Sequence, residues 1–128
     1  MPKKSTKFNN KNIDKLDKLL IEDFGIISKL NIPWAKIKNK KFLITGGTGF
    51  IASYIIKMLF LVNQQKNLNI TVDCTTRNPK KIKTLYGNKI TKNFLKIHKV
   101  SLLNKINIKG TFNYILHAAS LSSPKYFK

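Results

Sequence analysis

The chain has 128 residues, 42% of them hydrophobic, which suits one globular domain and excludes a disordered polar chain. Its formal net charge of +20 suggests a polyanionic partner, yet Arg77 is the only arginine among the 25 basic residues. Because the forked guanidinium is the side chain best suited to read base edges and phosphates, this lysine charge indicates compositional bias more than a nucleic-acid surface.

Cys74 is the only cysteine, which excludes an intrachain disulfide and a CxxC metal site. We expect it to be a small buried thiol in a strand. Acidic residues in the stretch NIDKLDKLLIEDF disfavour a signal or transit peptide, and the apolar run at 50–62 is too short and too interrupted by Lys57 to span a bilayer. The sequence predicts a soluble, cytoplasmic protein without a metal site.

The first third of the chain reads as a tail, a helix and a connector. Residues 1–11 are basic and polar and are predicted to be disordered. Residues 12–38 are predicted to form an N-terminal helix and a connector, because apolar residues recur at spacings of three and four from Ile13 to Ile27. Gly25 is expected to split the helix or end it early, and Pro33 is expected to stop it.

Residues 39–128 alternate between strand and helix patterns. Predicted strands are 41–45, 69–76, 93–100 and 112–119, and predicted helices are 50–62 and 78–87. In the second helix Asn78 would be the N-cap, Pro79 the first helical residue and Gly87 the stop. Strands separated by helices predict right-handed crossovers and a parallel sheet of the α/β class.

A glycine-rich turn, TGGTGFIA at 45–52, follows the first of these strands and opens the next helix. This is the context that a dinucleotide-binding fingerprint requires, because glycines let the backbone approach a pyrophosphate and a helix N-terminus offers unpaired N–H groups. Ala52 is small enough for the helix to pack tightly on the strand. No Lys-Ser/Thr pair follows the glycines, which excludes a P-loop.

The segment ITGGTGFIAS closely resembles the opening of the extended short-chain dehydrogenase/reductases, the NAD-dependent epimerase/dehydratase family that acts on nucleotide sugars. TTRNPKK resembles the end of the second strand in a subset of that family, and YILHAASLSSPKYF resembles the fourth strand and its loop. Sugar-nucleotide decarboxylases and 4,6-dehydratases look most similar. The resemblance implies an N-terminal helix and a truncated Rossmann-like sheet of four strands in the order 3-2-1-4, with 39–128 as a partial NAD(P)-binding domain.

The resemblance also implies a cofactor site, with either NAD or NADP as the cofactor. Its residues would be Gly46, Gly47, Thr48, Gly49, Phe50, Ile51, Arg77, Ala118 and Ala119. Gly46 and Gly49 would cradle the pyrophosphate, while Ala118 and Ala119 would pass beside the ribose and phosphates. The loop at 120–124 would face the nicotinamide.

Three further side chains, His117, His98 and Arg77, bear on the implied site. His117 is expected to fix geometry at a strand end more than to act as an acid or base, and His98 shows no partner, so a solvated or packing role is its default. NAD-preferring relatives usually place an Asp near the end of the second strand, where this chain has Arg77. That arginine suits a 2′-phosphate or can stack on adenine, and a solvated residue beside a helix cap is the alternative.

Hydride chemistry in the family rests on a Tyr-x-x-x-Lys pair, and none of the four tyrosines has a lysine four residues later. We therefore expect no catalytic residue here and no turnover by these residues alone. Cutting the domain after strand four would leave that strand as an exposed apolar edge. Three explanations fit this pattern: a partial reading frame, a split gene with a separately encoded C-terminal half, and a decayed remnant. A stand-alone dinucleotide-binding module is the first alternative function, and a nucleic-acid-binding protein is the second.

Overall fold

A computed structural model of the chain describes residues 15–101, 105 and 107–119. The predicted tail at 1–11, the start of the predicted first helix and the loop at 120–124 lie outside the described residues. The chain divides into two compact units, residues 1–31 and residues 32–128. The domain limits expected from the sequence stay a prediction.

The described part of the first unit contains one helix, α1 (Lys15–Ile27). The helix passes through Gly25, so the expected early stop at that residue is wrong. Glycine disfavours a helix by about 1 kcal/mol relative to alanine, which is too little to end a helix that the surrounding residues support. The last carbonyls of α1 accept hydrogen bonds from Ser28, Lys29 and Leu30, so the helix closes before Pro33 is reached.

The second unit is an α/β fold with a parallel sheet. Its elements in chain order are a 3₁₀ turn (Trp34–Ile37), β1 (Lys41–Thr45), α2 (Phe50–Lys66), β2 (Thr71–Thr76), α3 (Pro79–Asn93), β3 (Leu95–Lys99) and β4 (Tyr114–His117). All three strand pairings are parallel, and the strand order is β3-β2-β1-β4. The Rossmann-like sheet and its 3-2-1-4 order, expected from the sequence, are confirmed.

The strand registers give the sheet an apolar face and a polar face. Cys74 lies level with Ile44 on one neighbouring strand and with Ile97 on the other, and residues that are level share a face. On the opposite face Asp73 lies level with Leu43, and Thr75 lies level with His98. Most of the largest fully buried side chains belong to the apolar face and to α2 and α3: Ile44, Ile56, Ile82, Val62, Val72, Thr75 and Cys74.

The ends of two helices differ from the prediction. α2 continues four residues past Val62 and ends where Asn67 adopts a left-handed conformation with φ 52°. α3 begins as predicted, with Pro79 in its first turn and Asn78 accepting a hydrogen bond from the Lys81 N–H.

Gly87 interrupts α3 with φ 75° and ψ 170°, but the helix resumes and runs to Asn93. The prediction that Gly87 stops the helix is therefore wrong. The physical reason is burial, because Ile90 lies beyond the kink and is only 8% exposed. Packing of this apolar residue favours a second helical segment, which also shortens the following strand at its start.

Across residues 15–101, 105 and 107–119, no helix combines the length and the apolar composition that crossing a membrane requires.

Candidate functional site

The carboxyl ends of the four parallel strands meet at one edge of the sheet. β1 is followed by the glycine turn, β2 by Arg77, and β4 by Ala118 and Ala119. The chain runs from β1 to β2 to β3 and then returns to place β4 on the other side of β1. The strand order thus reverses between β1 and β4, and open α/β sheets bind ligands at such a reversal.

Thr75 at the end of β2 holds the first two glycines of the turn. The Gly46 N–H donates to the Thr75 side-chain oxygen at 3.1 Å, and the Gly47 N–H donates to the Thr75 carbonyl at 2.8 Å. Gly46 has φ +74°, a conformation that other residues rarely adopt. Two of the turn's backbone donors are therefore used inside the protein and are not available to a ligand.

Close packing also requires both glycines. A β-carbon built on Gly46 would lie 2.8 Å from the Ala119 Cα, so the end of β4 rests directly against the turn. A β-carbon on Gly47 would lie 2.9 Å from the Cys74 Sγ and 3.0 Å from the Ile82 Cδ1. The turn is thus pressed between β4 on one side and β2 with α3 on the other.

Tyr86 of α3 holds the turn in place, because its hydroxyl donates a hydrogen bond to the Gly47 carbonyl. Burial raises the pKa of Tyr86 above its usual value, and the neighbouring Cys74 adds to the rise. Burial, with a smaller contribution from the Asp73 carboxylate, raises the pKa of the Cys74 thiol to about 12. Both groups are therefore neutral at pH 7, and the expectation of a buried Cys74 is confirmed.

Among the residues that the structure describes, the backbone donors at the start of α2 have no hydrogen-bond acceptor. Gly49 is the N-cap residue, it provides no side-chain cap, and its N–H donates to the Gly46 carbonyl at 2.9 Å. The N–H groups of Phe50 and Ile51 point out of the first helical turn, where no intrahelical acceptor exists, and none of the described hydrogen bonds uses them. Their side chains are 69% and 66% exposed. This end of the helix has the donors and the positive dipole end that an anion needs.

Thr45 joins β1 to the end of β4. Its Oγ1 accepts a hydrogen bond from the Ala119 N–H at 3.1 Å and lies 2.8 Å from the His117 Nδ1. The threonine therefore ties the residues that follow β4 to the start of the glycine turn. His117 acts here as a partner that fixes a strand end, in agreement with the expectation.

His98 has a partner, so the expectation that it has none is wrong. Its Nε2 lies 2.7 Å from the Asp73 Oδ2, across the polar face of the sheet. Asp73 is 6% exposed and lies within β2, three residues before its end. A partnered buried carboxylate in this position cannot reach a ribose at the rim of the sheet.

Arg77, the last residue of β3 and residues after β3 line an open cavity of about 440 Å³ at the same edge of the sheet. The lining residues are Arg77, Lys99, Val100, Ser101 and Lys105. The described residues include no cluster of three or more histidine, cysteine or carboxylate side chains that could hold a metal ion.

The sequence predicted the glycine turn, Arg77 and the two alanines as site residues, and they follow strands at the same edge of the sheet. It missed the residues that hold the turn in place. Thr45, Thr75 and Tyr86 are these missed residues. Thr45 carried one usable signal, because it is the polar residue that ends the apolar strand β1, whereas Thr75 is one of several polar residues in β2. Nothing in the local pattern distinguished Tyr86 from an ordinary core residue.

Comparisons with known proteins agree with this geometry. The family model described as "NAD dependent epimerase/dehydratase family" matches residues 42–126. Tetraketide alpha-pyrone reductase 2 of Arabidopsis thaliana is 41% identical over 76 residues, which are 57% of this chain and 21% of that protein. The chain therefore covers about a fifth of the length of this curated relative.

No solved structure gave a significant match. The family match spans the first strand, the glycine turn and the segment after β4, which are the parts that build the site. The chain belongs to the NAD-dependent epimerase/dehydratase family.

Proposed function

We propose that the chain is the NAD(P)-binding N-terminal portion of a nucleotide-sugar epimerase, dehydratase or decarboxylase, located in the cytoplasm. These residues alone do not turn over a substrate in this proposal, because the Tyr-x-x-x-Lys pair is not among them. The partner in catalysis is a C-terminal half that carries the pair and the sugar-binding part. The matched relative is named a reductase, which is consistent with hydride chemistry in the complete protein.

One observation carries the cofactor assignment. The free N–H groups of Phe50 and Ile51 stand at the reversal of strand order, beside glycines that are held in place from three sides. A site whose donors are fixed before binding loses little conformational entropy when a ligand arrives. This arrangement fits a pyrophosphate better than it fits a plain strand-to-helix corner.

Each residue has a stated part in the proposed site. The N–H groups of Phe50 and Ile51 bind the pyrophosphate, and the lack of a side chain at Gly49 leaves room for it. Ala118 and Ala119 follow β4 along the ribose and phosphates. The cofactor, when bound, supplies or accepts a hydride, and the residues described here hold and orient it.

The test is a titration of the 128-residue chain with NAD and with NADP. Calorimetry and Trp34 fluorescence detect the binding. The discriminating variant is Gly49→Asp. Gly49 has extended N-cap geometry, φ −69° and ψ 156°, so an aspartate there can cap α2 while it places a negative charge at the pyrophosphate position. The new β-carbon meets only the Gly46 carbonyl oxygen, at 3.2 Å.

We expect the wild-type chain to bind at least one dinucleotide and Gly49→Asp to keep its fold while binding about tenfold more weakly or not at all. The circular dichroism spectrum and melting temperature of the variant serve as the control for folding. Absence of any binding to the wild-type chain at millimolar cofactor would overturn the proposal.

A Tyr-x-x-x-Lys pair in the downstream reading frame separates a portion of an enzyme from a stand-alone binding module. Its presence supports the proposed catalytic half. A frame without the pair favours a module that binds the dinucleotide and does no chemistry.

A further inference from the structure

The backbone N–H groups of the glycine turn are nearly all used within the protein. Those of Gly46 and Gly47 donate to the side chain and the carbonyl of Thr75. That of Gly49 donates to the Gly46 carbonyl at 2.9 Å. None of the described hydrogen bonds uses the N–H of Thr48, although this residue is half-buried. Since backbone groups away from water are almost always paired, this donor needs an explanation.

The orientation of the Thr48 N–H is set by the peptide unit that it shares with the Gly47 carbonyl. That carbonyl accepts a hydrogen bond from the hydroxyl of Tyr86, which is only 6% exposed, so the carbonyl points into the protein. The described chain has no cis peptide bond, and in a planar trans peptide the C=O and the N–H point in opposite directions. The Thr48 N–H therefore points away from the buried hydroxyl and out of the turn.

The helix α3 holds Tyr86 in the position that makes this contact. Ile82 and Tyr86 are four residues apart, so they lie on one face of the helix, and both are buried. Ile82 also reaches the turn, because its Cδ1 would lie 3.0 Å from a β-carbon on Gly47. Burial raises the pKa of Tyr86, so the hydroxyl keeps the proton that it donates. The carbonyl is thus held by a donor that is fixed in place and protonated at neutral pH.

We propose that Tyr86 is a positioning residue of the dinucleotide site, which holds the Gly47–Thr48 peptide so that the Thr48 N–H faces the pyrophosphate. Gly47 has no side chain to restrict its backbone, so without the hydroxyl this peptide can tilt. A tilted peptide turns the Thr48 donor away from an anion held by the N–H groups of Phe50 and Ile51. This inference rests on the proposed function and adds a residue that acts on the site without touching the ligand.

The experiment compares the wild-type 128-residue chain with three variants. Tyr86→Phe removes the hydroxyl and keeps the ring in the core. Tyr114→Phe makes the same chemical change at a 44% exposed tyrosine, at the start of β4 and so at the opposite end of the strand from the site. Ile90→Val removes one methylene group from a buried position of α3 beyond its kink, and it is the control for lost packing.

Calorimetry measures the affinity of each form for NAD and for NADP, and urea denaturation measures the midpoint of unfolding. Tyr86→Phe should bind the dinucleotide about three- to tenfold more weakly, because the binding orientation of the peptide is then populated only part of the time. Tyr114→Phe and Ile90→Val should both bind within about twofold of the wild type. The unfolding midpoint should fall in Ile90→Val as well as in Tyr86→Phe, so stability and affinity are separated.

Amide signals in the NMR spectrum measure the orientation of the peptide without any substitution. In the free wild-type chain the Thr48 N–H should exchange with solvent faster than the bonded N–H of Gly47. Its signal should move when the dinucleotide binds. Slow exchange of the Thr48 N–H in the free chain would show that this donor points inward, and it would overturn the inference even if Tyr86→Phe does not fold.

The titrations also separate this inference from the proposed function. If Tyr86→Phe binds as tightly as the wild type, or if Ile90→Val loses as much affinity as Tyr86→Phe, the dinucleotide site stands and Tyr86 only supports the fold. If the wild-type chain binds neither NAD nor NADP, the proposed function is wrong and this inference is wrong with it.

Discussion

At the scale of single residues, the glycine turn is shaped by the protein before any ligand is considered. Gly46 needs its left-handed conformation and the space taken by Ala119, while Gly47 needs the space between Cys74 and Ile82. Glycine at these two positions is therefore explained by packing alone. The feature that points to a ligand is the pair of free N–H groups at Phe50 and Ile51.

Gly47→Ala should destabilise the chain by about 1–3 kcal/mol, because the added methyl group would press on the Cys74 Sγ at 2.9 Å and the Ile82 Cδ1 at 3.0 Å. Urea denaturation measures the change. Combining Gly47→Ala with Ile82→Val should recover part of the loss, since the valine lacks the Cδ1 atom.

Gly25→Ala is the matched control for this substitution, because Gly25 lies in α1 with no atom within 4 Å of an added β-carbon. The midpoint of unfolding should stay the same or rise. Equal losses at Gly25 and Gly47 would contradict the packing explanation.

The buried thiol makes stability sensitive to alkaline pH. The pKa of Cys74 rises from 9.0 to about 12 in the folded chain, so between these values the unfolded state releases a proton that the folded state keeps. Stability from this group is complete below pH 9 and falls above it, by up to about 1.4 kcal/mol per pH unit. Tyr86, whose pKa is also raised, acts in the same direction at higher pH.

Urea denaturation measures the free energy of unfolding at pH 8 and at pH 10. The decrease from pH 8 to pH 10 should be about 1 kcal/mol smaller in Cys74→Ala than in the wild-type chain. Deprotonation of lysines affects both proteins alike, so the difference between them isolates the thiol. An identical loss in both would show that Cys74 is not protected from ionisation.

At the scale of elements, the alternation of apolar strands and helices was enough to predict the parallel sheet, and the glycines between the first strand and its helix were enough to predict the turn, because both are local patterns. Interactions between strands were not predictable in the same way. The Asp73–His98 pair depends on the register of β2 against β3, and the cavity beside Arg77 depends on the path of the chain after β3. Neither a register nor a loop path is fixed by the pattern of one strand.

The fourth strand is the element most open to unwanted pairing. β4 pairs with β1 and forms an edge of the described sheet, and Ile115 on it is 66% exposed. Exposed apolar edges promote association between chains. The predicted apolar edge is confirmed for the described part of the chain.

Ile115→Lys should reduce concentration-dependent self-association, because a charged side chain on an edge strand opposes pairing with another edge. Light scattering at about 0.5 M salt, where the net positive charge is screened, measures the effect. Ile26→Lys is the control, since Ile26 is 63% exposed on α1 and far from the edge in sequence. Equal improvement from both substitutions would assign the effect to added charge and not to the edge.

At the scale of the whole molecule, charge is distributed very unevenly along the chain. Four of the five acidic residues precede Phe24, and the last, Asp73, is bonded to His98. Residues 32–128, which form the sheet and its site, therefore carry many lysines and a single side-chain carboxylate. Such a surface attracts every polyanion at low salt, so attraction alone does not identify a biological partner.

Salt dependence separates this general attraction from a built site. Binding of duplex DNA to a lysine surface releases counterions, so its affinity should fall steeply and be lost by about 200 mM salt. NADP contacts few charges and also uses fixed backbone donors, so its affinity should fall less over the same range. Titrations with an arbitrary DNA duplex and with NADP at about 50 and 200 mM salt measure both. DNA binding that persists at the higher salt while NADP binding disappears would favour the nucleic-acid alternative. NADP binding that persists at the higher salt while DNA binding disappears would show that the +20 charge reflects composition. It would also show that the dinucleotide is bound by a specific site.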